Sequence, residues 1–212
     1  LRTSETNGYD TPRKILNYAG INESEMFSQK FAKEKLASLT NKPVQSIERI
    51  ARVTTDSNGE LIYKVINHNL ENYHKFYRLK KCAVCPDCIQ DSGHLDAFWD
   101  LNLSVVCPHH KKPPMMNCNH CGETISWFRP GLNKCRCGEY FENDQAILDE
   151  QPILDLMQIF WFKLHNQSLF TLENNCNFPL HAFEHMSLQT FLKVIAYLAN
   201  LESFEFKDSK KW

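Results

Sequence analysis

Cys85-Pro-Asp-Cys88, Cys107-Pro-His-His110, Cys118-Asn-His-Cys121 and Cys135-Arg-Cys137 follow one another with 18, 7 and 13 residues between the pairs. Two residues between ligands let a tight turn aim both at one tetrahedral ion, with each sulfur about 2.3 Å from the metal, and two such knuckles close a site. The first two pairs supply three cysteines and a histidine, and the last two supply four cysteines. Eight ligands in two closed sets predict two structural zinc ions. Gly122 and Gly138 each follow the second cysteine of a pair, where a knuckle calls for a positive φ. The seven residues after His110 favour sequential sites, Cys85/Cys88/Cys107/His110 then Cys118/Cys121/Cys135/Cys137. Cys82 and Cys176 are left over, since pairing Cys82 with Cys85 strands Cys88. His109 is a poorer partner for Cys107 than His110, and His94, His109 and His120 read as surface or structural residues. Four protein ligands per ion leave no open position for catalysis, and the chain lacks the His-x-Glu of zinc deaminases.

Working outward, eight of the nine cysteines lie between Cys82 and Cys137, a clustering that favours metal over disulfides and so a reducing cytoplasm. The 212 residues include 24 Lys+Arg, 25 Asp+Glu and 42% hydrophobic residues, which excludes a collagen, disordered or coiled-coil chain. The longest apolar run, Ile159-Phe-Trp-Phe162, is far short of the ~20 residues that span a bilayer, so no membrane partner is expected. A start at Leu1-Arg-Thr-Ser, with neither initiator Met nor signal peptide, is expected of a chain beginning inside a longer protein. Formal charge is +1 over residues 1–71, +3 over 72–140 and −5 over 141–212. Seven thiolates and two dications bring the middle segment to about zero, so its lysines and arginines partly neutralise the metal clusters.

The flanks read as helical. Thr11-Pro12 opens one helix, and Ala32, Leu36 and Leu39 recur at helical spacing. After a break at Thr40-Asn-Lys-Pro43, Val44, Ile47 and Ile50 form a second stripe. Residues 29–52 thus have the outline of a helix-turn-helix whose outward face is Gln45, Ser46, Glu48, Arg49 and Arg52. Of these, Gln45, Ser46, Arg49 and Arg52 are the candidate nucleic-acid contacts. Asp56-Ser-Asn-Gly59 between two β-prone runs predicts a hairpin. After Asn143, Ile153, Leu156, Met157, Phe160 and Leu164 form one helical stripe, and Leu188, Phe191, Leu192, Ile195 and Leu198 form another behind a Ser187 cap. Trp161 and Phe162 lie off the stripe, as contacts to the core or a partner helix. The expected architecture is α plus small β: a helix-turn-helix-like domain with a hairpin (1–71), two tandem zinc ribbons too poor in periodic segments for a large apolar core (72–141), and a C-terminal helical domain (142–212).

The string Tyr77-Arg-Leu-Lys-Lys-Cys-Ala-Val-Cys85-Pro-Asp-Cys88-Ile, then Phe98-Trp99-Asp-Leu-Asn-Leu-Ser-Val-Val-Cys107-Pro-His-His110, Cys118-Asn-His-Cys121-Gly and Cys135-Arg-Cys137-Gly, resembles the TniQ/TnsD family of transposition target-selection proteins. Upstream, Glu5-Thr-Asn-Gly8-Tyr and Thr11-Pro-Arg-Lys-Ile-Leu resemble its early helices, and residues 36–50 its helix-turn-helix. The likeness covers about residues 1–141. Ile89 stands for a usual leucine, and the family's opening Glu-Ser-Leu helix is missing. The resemblance implies a non-enzymatic adaptor in the bacterial cytoplasm, at the nucleoid. It would link target DNA or a CRISPR guide-RNA effector complex to an AAA+ transposition regulator, and through it to a transposase. It leaves homodimerisation open.

Two rivals remain at this level. A cross-braced RING-type ligase module has nearly the same order of pairs, but only two or three residues between its histidine and the next cysteine. A zinc-ribbon transcription factor is the other. No phosphate loop, nucleophile elbow or acid pair points to an enzyme.

Overall fold

In a computed structural model the structure describes residues 1–22, 32–71, 76–78, 81–172 and 176–198. Four short helices come first: α1 (Arg2–Thr6), α2 (Arg13–Tyr18), α3 (Lys33–Thr40) and α4 (Val44–Ile50). The Thr11 hydroxyl accepts from the Arg13 N–H at 3.4 Å, and Pro12, which has no N–H to leave unpaired, caps α2. Asn41 ends α3 in the left-handed conformation, φ 50°, and Pro43 precedes α4. Ala37 and Ile47 are buried, and Lys33 of α3 pairs with Glu48 of α4, so Glu48 serves the helix pair rather than an outward face. Residues 29–31, expected at the start of the helix-turn-helix, lie outside the described residues.

The chain leaves α4 through extended Ala51 and enters a meander of β1 (Val53–Thr55), β2 (Leu61–Val65) and β3 (His68–Asn69). The expected hairpin forms, with Val53 opposite Tyr63 and Thr55 opposite Leu61. Its turn is closed by the Asp56 carboxylate, which accepts from the N–H of Asn58 at 2.9 Å and of Glu60 at 2.8 Å. The third strand, Lys64 opposite Asn69, follows a turn at Ile66 with φ 52°, a residue type that gives no turn signal.

The apolar residues gather in two cores. The larger joins Val65, Leu70 and Tyr77 to Phe98, Trp99 and Leu101 of the central segment and to Leu154, Met157, Ile159, Phe160 and Leu164 of α6 (Gln151–Leu164). It also takes Phe183 of α7 (Leu180–Glu184) and Leu188, Phe191, Leu192 and Ile195 of α8 (Leu188–Leu198). Ser187 caps α8 by accepting from the Thr190 N–H at 3.1 Å. On α6 the buried stripe is centred on Leu154, Met157, Phe160 and Leu164, with Ile153 and Leu156 only half-buried. The central segment was expected to lack apolar material for a large core. Instead a 3₁₀ turn, Ala97–Asp100, delivers Phe98 within 5.1 Å of Phe160, and burial of each such ring contributes about 2–3 kcal/mol. The smaller core holds Cys82, Val84, Ile89, Met115, Ile125 and Phe141.

The segment between the two cores is extended. Val84 bridges to Met115, and the Cys82 N–H donates to the Ile125 carbonyl at 3.2 Å. Successive side chains of an extended strand point to opposite faces. Cys82 and Val84 therefore enter the smaller core, while Ala83 and Cys85 enter the larger. Among the described residues no helix is long and apolar enough to cross a membrane.

Candidate metal centres

Cys85 is the N-cap of α5 (Pro86–Ser92), and Cys88 lies in that helix's first turn, so the first pair stands on a helix start rather than on a free knuckle. Cys107 and His110 come from the loop after the 3₁₀ turn. The Lys111 N–H donates to the Cys107 carbonyl at 2.9 Å, with Lys111 at φ 54°, and the His110 N–H donates to the Cys107 sulfur at 3.4 Å. His110 Nδ1 is 3.7, 3.3 and 3.5 Å from the sulfurs of Cys85, Cys88 and Cys107, and the Cys88 and Cys107 sulfurs are 3.3 Å apart. A tetrahedral zinc with ordinary bond lengths sets sulfur–nitrogen separations of about 3.5 Å and sulfur–sulfur separations of about 3.8 Å. The four residues fit that ion.

The other ring nitrogen of His110 gives an independent sign. Nε2 is 2.9 Å from Asp91 Oδ2, so with Nδ1 facing the sulfurs the ring donates its remaining N–H to a carboxylate. This carboxylate–histidine arrangement fixes tautomer and ring orientation at metal sites. Sequence reading missed Asp91, although its place three residues after Cys88, one helical turn on, was a usable signal. Asp91→Ala is expected to weaken zinc at this centre about 10–100-fold while sparing the second, with Asp91→Asn in between. Competition against a chromogenic chelator checks it; unchanged release would remove Asp91 from the site.

Cys118, Cys121, Cys135 and Cys137 form the second group; in each group the ligand atoms lie within 4.8 Å of one another. Cys118 and Cys137 sulfurs are 3.9 Å apart, and those of Cys121 and Cys135 are 3.7 Å apart. Gly122 (φ 72°) and Gly138 (φ 101°) have the expected positive φ. Their N–H groups close the knuckles on the carbonyls of Cys118 and Cys135, at 2.9 and 3.1 Å. The groups are sequential: none found among the described residues joins Cys85 to Cys118, as a cross-brace would.

Thiols this crowded cannot all ionise without a cation. Hydrogen bonds from Cys85 and Cys88 pull the Cys107 thiol down to about 3, while Cys107 and then Cys85 push the Cys88 thiol far up. Burial opposes ionisation of Cys118, but the backbone N–H groups of Cys121 and His120 win and bring it to about 7; burial pushes Cys135 up to about 12. A dication relieves both conflicts. Both leftover cysteines are free thiols, Cys176 half-buried and Cys82 buried, the latter accepting from Arg129 Nη1 at 3.4 Å.

The candidate nucleic-acid residues divide. Gln45 and Arg49 are exposed on α4, and Ser46 is half-buried beside them. Arg52 is not with them. It lies two residues past the end of α4, its Nη2 donates to Asp100 Oδ1 at 2.7 Å, and its guanidinium lies 5.0 Å over the Trp127 ring. Among the basic residues near the knuckles, Lys112 pairs with Asp87 at 3.1 Å, and Arg129 is buried, donating to the carbonyls of Ser126 and Leu132. Lys80 is outside the described residues. His109 meets Trp161 of α6 edge-on at 4.9 Å, the contact that occupies the off-stripe tryptophan.

The TniQ family profile matches residues 1–113, more than half of the chain. The chain belongs to the TniQ family. No curated protein matches it. The TniQ match takes in α1–α4, the meander and the complete first centre, and membership implies a role associated with transposition. The second centre lies beyond the matched residues.

Proposed function

We propose that this TniQ protein is a non-enzymatic target-selection adaptor that holds a target, either attachment-site DNA or an RNA-guided effector complex, beside an AAA+ transposition regulator that recruits the transposase. The family match over residues 1–113 carries this reading. The two cysteine/histidine groups support a purely architectural use of zinc, because each offers four protein ligands and so leaves no coordination position for substrate. On this reading the ions of both centres are structural, Gln45, Ser46 and Arg49 face nucleic acid, and the protein acts in the bacterial cytoplasm at the nucleoid. The acidic C-terminal part offers a second partner a surface of opposite sign, which limits cross-binding; four of its ten acidic residues, Glu173, Glu202, Glu205 and Asp208, lie outside the described residues.

Reconstitution with the cognate ATPase, transposase and target tests the adaptor role. Omitting the protein is expected to abolish site selectivity, and equal selectivity without it refutes the role. In the same assay Arg49→Glu is expected to weaken target binding and lower the slope of log K against log salt by about one unit. Unchanged binding and insertion would make the helix pair scaffold.

A further inference from the structure

A groove of about 460 Å³ runs between the start of α2 and the second metal centre, lined on one side by Asp10, Thr11 and Arg13 and on the other by Phe128, Lys134 and Arg136. Thr11 ties the walls together by donating to the Phe128 carbonyl at 3.4 Å, and the Arg13 guanidinium lies 4.9 Å over the Phe128 ring. Lys134 and Arg136 flank Cys135, which is buried in the smaller core. Lys134 stands in β-bridges with Gly131 and Tyr140, whereas Arg136 lies exposed in the knuckle turn and its Nε donates to the Phe128 carbonyl at 3.4 Å. Both side chains line the groove. Lys134 Nζ lies 5.4 Å over the ring of Tyr140, which is 62% exposed, and Asp10, the acidic liner, is paired with Lys14 at 3.2 Å.

We propose that this groove holds the phosphodiester backbone of a nucleic acid. Three cations from two separate segments line an open channel, one of them over the Phe128 ring and one over the neighbouring Tyr140 ring, the pairing of charge and π-face that tracks a sugar–phosphate chain. The proposal deepens the adaptor reading, on which it rests for the biological identity of the strand, and it shifts the main phosphate contact from α4 to the second ribbon.

The test is equilibrium binding of the zinc-loaded full chain to a fluorescent 20-mer, as duplex DNA and as single strand, across a salt series. Lys134→Gln/Arg136→Gln is expected to reduce the slope of log K against log salt by about 1.4 on single strands or about 1.8 on duplex, two contacts in either case. A fall on one form identifies the strand. Arg13→Gln, on the opposite wall, is expected to remove about half as much and keeps the test open should the double variant disturb the second centre. Lys193→Gln on α8, which breaks a pair with Glu71, is the control for net charge alone. Slopes unchanged in both groove variants, or an equal fall in the control, overturn the proposal. Neither result touches insertion selectivity, on which the adaptor role stands or falls.

Discussion

Cys107→Ser is expected to abolish the folded state of the chain, whereas Cys121→Ser leaves most of it intact. Each variant loses one zinc, yet the surroundings differ. Cys85 and Cys107 are both wholly buried in the core that also holds Phe98, Phe160 and Phe191, so losing the first ion unseats the floor on which α6 and α8 pack. Structural zinc contributes about 10–16 kcal/mol in finger peptides, comparable with the total stability of about 5–15 kcal/mol of an ordinary domain. Cys121 and Cys137 are exposed, and the second centre touches the smaller core through Cys118 and Cys135. Far-UV circular dichroism with elemental analysis checks both variants. The expected result is loss of helix signal for Cys107→Ser, and near-native helix with about one zinc per chain for Cys121→Ser. Equal losses would mean that the centres are not divided between the cores.

Arg52→Ala is expected to be the most costly change among the candidate nucleic-acid residues. Asp100 is 8% exposed, and burial pushes its carboxyl above the usual range against the pull of Arg52. Removing Arg52 leaves that carboxylate buried and unpaired, a loss of about 3–5 kcal/mol for a fully buried pair. The Arg52 side chain is 37% exposed, so about 2–3 kcal/mol is the better expectation, or a fall in Tm of roughly 5–10 °C at this chain length. Asp100→Asn, which keeps an acceptor without the charge, should cost less. The pH dependence has a definite sign. A carboxyl whose folded-state value is raised binds its proton more readily in the native protein, so stability falls as pH rises from the ordinary aspartate range through the folded value. The Arg52→Ala deficit should therefore shrink on acidification from neutral pH. A deficit that deepens instead would show that Asp100 is not the group left unpaired.

Both effects bear on what could be read in advance. The eight ligands and their grouping were legible because metal chemistry constrains residue type and spacing together: two residues between ligands in three of the four pairs, and a glycine after both pairs of the second set. The hairpin was legible from Asp56-Ser-Asn-Gly59, and α8 from its stripe and Ser187. Tertiary pairings were not. Arg52 continues the periodicity of α4 in sequence, but extended Ala51 ends the helix and turns Arg52 toward Asp100, 48 residues away. Asp91 looked like any exposed helical acid until His110 was placed beside it. Phe98 and Trp99 sit in a short 3₁₀ turn with no amphipathic period, so their share in the main core has no local signature. The boundaries drawn at 71/72 and 141/142 follow changes in pattern, whereas the main core runs across both.

The alternation of Cys82 and Val84 with Ala83 and Cys85 has a mechanical consequence. A hinge needs a few residues whose side chains are committed to neither body, and between these two cores there is none: each residue of the strand is anchored, by turns, on one side and the other. The spacing of the two cores across this strand is then set by bond lengths and a rise of about 3.3 Å per residue, as in a ruler, and not by the slack of a loop. Twisting one core means dragging the other. Insertion of one residue here would exchange the occupants of both cores at once, whereas a residue added to the exposed turn at residues 57–59 would disturb neither.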